Sequence, residues 1–383
     1  MTSLPNKTDL YKKLAIHLDK LPGGYPETSS GVEIRILKKL FSRDEAYLAC
    51  SLALISETAE VISLRSGMHL GKTAVMLDKM ADKGLIFSTK EREKPDVYMA
   101  AQFVVGIWEY QVGSLDQELV RMMDEYIPHL FKPEDWKKAP QMRIVPVKKS
   151  IDTRQRIMSY EQAEKLLNKK ENFVVTPCIC RLEQKKSGKG CEKPIESCIS
   201  FGDQNDYYVR NGLGKSVAKQ EIIRILRQAD KSGLVIQPSN GKDITWICLC
   251  CGCCCGVLRT LNNYPEPADL VSTPFIVKKD EDGCNNCGVC IKRCQTNAIC
   301  LDSEILRIDK KRCIGCGLCV STCPKKCLTL HRKKRNSISK VPGTIVTASL
   351  KMLFKRKKMN ILQLFTLFIN SKKDRFRVYM KNR

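Results

Sequence analysis

Hydrophobic positions in the first third of the chain recur at helical spacing and are interrupted by glycine and proline. Tyr11 to Leu21 reads as a short helix that Pro22-Gly23-Gly24-Tyr25-Pro26 stops. A pattern starting at Val32 carries Ile34, Leu37, Leu40 and Phe41, and the next carries Ala46, Leu48, Ala49, Leu52 and Ala53. Thr58 to Arg65 breaks at Ser66-Gly67, and Lys72 to Lys83 closes at Gly84. Leu85 to Ser88 and Val97 to Val105 are apolar runs around a polar stretch, which predicts a hairpin. Further on, Lys132 to Pro146, with Pro133, Pro140 and Pro146, reads as a linker, Ser159 to Asn168 as a helix and Phe173-Val174-Val175 as a strand. Ser216 is expected to cap a helix over Val217 to Lys231 that Gly233 ends, and Leu234-Val235-Ile236 to form the next strand. Asn262 to Pro267 and Ser272-Thr273-Pro274 read as a second linker.

Three helices followed by a two-stranded hairpin is the order of a winged helix, so charge has to be tested before DNA is considered. Ser30 to Leu130 holds 12 Lys and Arg against 15 Asp and Glu, a net of −3. The helix after Gly67 alternates Lys72, Asp78, Lys79, Asp82 and Lys83, and the hairpin tip alternates Lys90, Glu91, Arg92, Glu93, Lys94 and Asp96. Phosphate contacts dominate affinity for DNA, so an acidic module suits a protein-docking or structural role better.

The chain's 383 residues and 43% hydrophobic content fit two or three cored domains. Met1 to Gly24 mixes charged and single apolar residues and has no apolar h-region, so the 21 cysteines are expected in reducing cytosol, as metal ligands. The net charge of +25 is uneven: His331 to Arg383 has 16 Lys and Arg against one acid, Asp374, and so carries +15 of it. In that tail, Arg332 to Arg335 and Lys355 to Lys358 are basic blocks. Asn360 to Ile369 places Ile361, Leu364, Phe365 and Phe368 at helical spacing. That run is about half a membrane span, so the expectation is an amphipathic helix lying on an anionic membrane or acidic partner, against a solvated tail.

The chemistry is carried by thiols. Cys284, Cys287, Cys290 and Cys294 read C-x2-C-x2-C-x3-C, and Cys313, Cys316, Cys319 and Cys323 repeat the spacing before Pro324. Three cysteines at this spacing wrap one iron–sulfur cube while the fourth is carried to the other, so two clusters are expected. Gly288 and Gly317 leave room for backbone amides to approach inorganic sulfur. Zinc ribbons would favour paired C-x2-C hooks with long gaps. The run resembles the bacterial-type two-cluster ferredoxin module. The resemblance implies that Cys284, Cys287, Cys290 and Cys323 hold one [4Fe-4S] cluster and Cys313, Cys316, Cys319 and Cys294 the other. The sequence departs from that pattern at Gln295, where the family usually has proline. Cys300, Cys327 and Cys50 read as small apolar residues and not ligands.

Ten more cysteines lie upstream. Cys178, Cys180, Cys191 and Cys198 fall within 21 positions and could supply a metal site, with Gly188 and Gly190 letting the chain fold back. Cys248, Cys250, Cys251, Cys253, Cys254 and Cys255 place six thiols in eight residues, too many for one metal from a regular element. The C-x-C-R stretch, Gly188 to Cys198, Phe201-Gly202, the C-C-G-C-C-C run and the winged-helix-like start resemble a family of ferredoxin-like proteins of anaerobes, over about Tyr11 to Leu330. These ten cysteines, as a subset, are expected to hold at least one further iron–sulfur cluster, with structural zinc and redox-active thiols as alternatives.

The expected architecture is α+β and multidomain: a winged-helix-like helical domain (1–131), a linker (132–146), a cysteine-rich α/β domain (147–262), a dicluster ferredoxin domain (263–332) and a basic amphipathic tail (333–383). The expected function is cytoplasmic electron transfer with redox partner proteins, nucleic acid being disfavoured and membrane contact reserved for the tail. A redox-responsive winged-helix regulator and an iron–sulfur subunit of an anaerobic oxidoreductase complex are the alternatives. No nucleophile, general-acid pair or nucleotide cradle is evident.

Overall fold

The computed structural model describes residues 7–90, 93–147, 150, 162–202, 205–334 and 338–381. Glu91 and Arg92 of the hairpin tip, the start of the Ser159–Asn168 helix and Arg335 of the first basic block lie outside them. Helix and sheet are mixed, and the chain packs as two compact units. The first combines 1–130, 206–213 and 350–383, and the second 131–205 and 214–349.

In the first unit, helices Lys7–Asp19, Val32–Leu40 and Arg43–Ala49 precede strand β1 (Glu57–Thr58). Helices Ala59–Ser66 and Leu70–Asp82, then β2 (Ile86–Thr89) and β3 (Val97–Ala100), complete a sheet in the order β1-β3-β2. Local chemistry sets the boundaries. Ser42 and Glu45 form a reciprocal capping box at the start of Arg43–Ala49, and Gly67, at φ 70°, ends the helix before it. The apolar run from Val97 stays in the sheet only to Ala100, and a wide turn follows through Phe103–Ile107. Helix Gln117–Leu130, not anticipated from the sequence, buries Leu119, Val120, Met123, Tyr126 and Ile127, and the Tyr126 hydroxyl donates to Pro26 O.

The tail is ordered against this unit. Its last helix is Ile361–Lys381, twice the predicted length, and a further unanticipated helix is Ile345–Lys355. Leu364, Leu367, Ser371, Asp374 and Val378, spaced three and four apart, form the least exposed stripe. The Ser371 hydroxyl donates to Glu57 Oε1, and Arg65 grips Glu57 with two bonds of 2.7 Å while also pairing with Asp374 at 3.1 Å. Phe365 and Phe368, expected on the same stripe as Leu364, face outward instead.

In the second unit, β4 (Phe173–Pro177), β5 (Glu196–Ser200), β6 (Lys215–Val217), β7 (Val235–Pro238) and β8 (Trp246–Cys250) form one antiparallel sheet in the order β6-β4-β5-β8-β7. Ser216 is a strand residue opposite Val174, so it does not cap the following helix, which runs Lys219–Lys231 from Ala218. The stretch expected as a linker contains helix Pro133–Lys138 and buried Met142 to Val145. Its Arg143 and Val145 amides donate to Pro238 O and Ile236 O, extending the sheet's hydrogen bonding. Beyond the sheet, β9 (Phe275–Lys279) pairs with β12 (Leu328–Arg332) and β10 (Ile299–Asp302) with β11 (Ile305–Ile308). The core between these hairpins gathers Phe275, Val277, Ala298, Ile299, Leu306, Leu328 and Leu330 around Cys290, Cys313 and Cys319.

The Glu57 side chain is 1% exposed and that of Arg65 24%. Burial alone would raise the Glu57 carboxyl, but the bonds from Arg65 and Ser371 outweigh it and hold it below its usual range. A carboxyl depressed by folding adds stability above its unfolded pKa, about 4.3, and that stability is lost as pH falls through the lower folded value. We expect Arg65→Ala to cost about 2–3 kcal/mol in urea unfolding at neutral pH and Asp374→Ala less than about 1 kcal/mol. The Arg65→Ala cost should shrink in acid.

Candidate metal centres

The sheet and two helix starts deliver six thiols to one region of the second unit, and a connection and a turn add Cys191, Cys251, Cys253 and Cys254. On β8, Cys248 and Cys250 share a face because side chains alternate, while Ile247 and Leu249 are buried on the other. Cys198 of β5 sits directly opposite Cys248. Cys178 and Cys255 are the residues from which helices Ile179–Lys186 and Gly256–Asn262 start, where backbone N–H groups favour negative charge, and Cys180 lies in the first turn.

These thiols fall into two groups. Cys178, Cys180, Cys255, Cys250, Cys248 and Cys198 form a ring in which each influences the titration of the next, and no three of their sulfurs lie within 4.8 Å of one another. Hydrogen bonds from Cys180 and Cys198 hold the Cys178 thiol well below its ordinary range, and those from Cys180 and Cys250 do the same for Cys255. Cys180, donating to both, is pushed well up. Cys191, Cys251, Cys253 and Cys254 form the second group, with all four sulfurs within 4.8 Å of one another. There, the hydrogen bond from Cys254 overcomes the effect of burial and pulls Cys251 down to about 5, with the positive charge of Arg181 assisting. The four thiols expected to act together from their proximity in sequence are therefore divided: Cys178, Cys180 and Cys198 join the ring, and Cys191 joins the turn of the C-C-G-C-C-C run.

Arg181 sits between the groups at 1% exposure. Its guanidinium donates to the carbonyls of Pro194 (2.8 Å) and Leu249 (2.6 Å) and to the Ser197 hydroxyl, while its Nε has no hydrogen-bond partner. Burial would lower its pKa, yet the charges of Cys178, Cys251 and Cys250 hold it above normal. A buried cation with an unfilled donor beside buried thiols suits an anionic thiolate-ligated metal centre, so the residues fit such a group. Sequence reasoning missed Arg181 as a functional residue, although it is the arginine of the C-x-C-R stretch.

In the ferredoxin-like part, the thiols acting on Cys290 are Cys323, Cys284 and Cys287, and burial pushes Cys290 up to about 11. Those acting on Cys316, which burial pushes up to about 12, are Cys294 and Cys313. Cys319 is raised by burial and by Cys316, Cys313, Cys294 and, most weakly, Cys290. Gly317 has φ 76° and would clash with the Ser150 hydroxyl if it carried a Cβ, so glycine is required there. Cys327 is buried as expected, but its sulfur lies 3.4 Å from that of Cys323, so it is also a thiol neighbour of the site. Cys300 is exposed and does not pack as a small apolar residue.

The two thiol regions touch. Gln295 Oε1 accepts from the Gly252 amide at 2.7 Å, and Gln295 O accepts from the Asn262 side chain at 3.0 Å. The residue that departs from the usual proline thus anchors the turn after Cys294 to the glycine between Cys251 and Cys253. Arg293 adds bonds to the Asp230 and Lys231 carbonyls.

A family model described as a 4Fe-4S binding domain matches residues 306–329, which include Cys313, Cys316, Cys319 and Cys323. No curated protein and no solved structure matches the chain. The match marks an iron–sulfur protein with a ferredoxin-type module, and the cysteine cluster adds metal-binding capacity. No helix among the described residues is long and apolar enough to cross a membrane.

Replacing Arg181 by Met keeps most of its volume and removes the charge. We expect this change to lower the metal content of the upstream thiols and to cost about 3–5 kcal/mol in chemical unfolding. Metal analysis per chain and urea titration read the two effects, and an unchanged metal content would show that Arg181 does not compensate the thiolates.

Proposed function

We propose that the protein is a carrier of single electrons with two [4Fe-4S] clusters in its ferredoxin-like part and at least one further iron–sulfur cluster at the upstream thiols. Cys284, Cys287, Cys290 and Cys323 would hold one cluster and Cys313, Cys316, Cys319 and Cys294 the other; the thiol neighbours of Cys290 and Cys316 support this division. The six-thiol ring would hold the further one. Such clusters supply reversible one-electron storage when bound. The chain's own contribution is ligation, burial and the placing of a cation: Arg181 offsets thiolate charge, and the core around Cys290, Cys313 and Cys319 excludes water. The observation that carries the reading is the 4Fe-4S family match over 306–329 with Cys313, Cys316, Cys319 and Cys323, and the Gly252–Gln295 contact sets the upstream region beside the turn of Cys294.

Redox proteins are the proposed partners, whether the chain acts alone or as a subunit of an oxidoreductase complex. The strand–helix–helix–hairpin order and the β1-β3-β2 sheet of the first unit support a winged-helix-like reading. Three lysines of its helices and hairpin are committed to carboxylates, Lys72 to Asp44, Lys83 to Glu45 and Lys90 to Asp78 and Asp96, which favours protein docking over DNA and weakens the regulator alternative. On the last helix, Leu362, Phe365, Phe376 and Met380 are exposed among Lys372, Lys373, Arg375, Arg377 and Lys381, which supports contact with an anionic membrane surface.

Protein purified without oxygen should contain more than about eight iron atoms and eight labile sulfides per chain, and its reduced form should show interacting cluster signals in electron paramagnetic resonance. A total of about eight irons with no more sulfide would remove the further cluster, and none would remove the electron-carrier reading. Flotation with phosphatidylserine vesicles should recover the full chain, and the Phe365→Ser, Phe376→Ser variant should float several-fold less. Equal flotation of the two, or none by either, would remove the membrane contact.

A further inference from the structure

The two upstream groups differ in how closely their sulfurs approach. In the second group Cys191 Sγ lies 3.9 Å from Cys251 Sγ and 3.5 Å from Cys254 Sγ, and Cys253 and Cys254 are 3.8 Å apart. Four thiolates around one tetrahedral ion with bonds of about 2.3 Å stand about 3.8 Å from each other. Four thiolates on a cube each cap a different iron and stand on the order of 6 Å apart. Among the described residues no other set of three or more potential ligand atoms is drawn so close; the ring and the eight ferredoxin-like cysteines are more open.

The chain path accounts for this tight set. Gly252 separates Cys251 from Cys253 in a turn, and a Cβ there would clash with Gln295 O, so the turn is pressed against a fixed neighbour. Cys191 comes from the long connection between Ile179–Lys186 and β5, and Gly190 packs against the Lys185 backbone so that this connection folds back. Adjacent Cys253 and Cys254, which differ in burial, converge on Cys191 and not on the ring.

We propose that Cys191, Cys251, Cys253 and Cys254 hold a single tetrahedral metal ion, zinc or iron, distinct from the iron–sulfur cluster of the ring. This deepens the reading above, on which it rests only for the ring: the further cluster belongs to Cys178, Cys180, Cys198, Cys248, Cys250 and Cys255, and the neighbouring site is mononuclear. Zinc there clamps the turn without redox chemistry, and iron adds a one-electron station beside the turn of Cys294.

The test compares the full chain, purified without oxygen, with the variants Cys191→Ser, Cys254→Ser and Cys178→Ser, Cys198→Ser, Cys248→Ser, the latter leaving the ring three thiols, too few for a cube. Iron, zinc and labile sulfide are counted per chain. The first variant is expected to lose one metal ion, zinc or iron, and no sulfide. Loss of several irons with matching sulfide, or loss of no metal, overturns the mononuclear site. The second variant reports on the ring: it should lose iron and sulfide together while keeping the single ion. If it loses neither, the further cluster fails while the single-ion site stands on the first variant. Where either variant yields no folded protein, cobalt added to metal-stripped wild-type chain gives a second readout. The visible bands of one tetrahedral tetrathiolate cobalt per chain support the site, and their absence overturns it.

Discussion

Crowding thiols out of water dominates this molecule. Ligation requires thiolates, and a thiolate removed from water is costly unless something positive or hydrogen-bonding faces it. Each thiol region has its own solution. The ring shares protons between neighbours, with Cys178 and Cys255 as acceptors at helix starts. The space between the ring and the tight group is given to Arg181, one of the most buried large side chains of the chain. In the ferredoxin-like core, Cys290, Cys316 and Cys319 are raised chiefly by burial, and metal binding there would have to displace their protons.

The ferredoxin-type module was legible because ligand spacing in Cys284 to Cys323 is local, and the family match over 306–329 takes in the second set of those cysteines. The sorting of the upstream cysteines was not legible. It depends on strand register, which sets Cys198 opposite Cys248, and on Gly190 and Gly252, which let Cys191 reach Cys251 across 60 positions. Proximity in sequence does not show which of the ten thiols lie together. The importance of Gln295 was hidden likewise, because its partner is the amide of Gly252, over 40 residues away.

The fold followed the same division. Punctuation by Gly67, Gly84 and Pro22 placed the helices of the first unit, since glycine and proline act on their own turn. Helix Gln117–Leu130 has an unbroken apolar face, with Leu119, Val120, Met123, Tyr126, Ile127 and Leu130 at spacings of three and four, so its signal was present in the sequence although Pro128 sits near its end. The tail looked like a free basic segment by composition. Buried Glu57 holds it through Ser371, with Asp374, the tail's single acid, reaching the same arginine. Composition counts such a residue as one charge in seventeen, whereas the fold uses it as a contact.

The hydrogen bond between Gly252 and Gln295 also bears on assembly. The turn holding Cys251 and Cys253 and the turn following Cys294 are ordered by the same contact, so metal that fixes one turn has already met part of the entropic cost of fixing the other. Under the proposed assignment, filling either site would raise the affinity of its neighbour, and linkage makes the effect equal in both directions. Maturation of this region would then be cooperative, and a chain that lost one centre would be prone to lose the adjacent one.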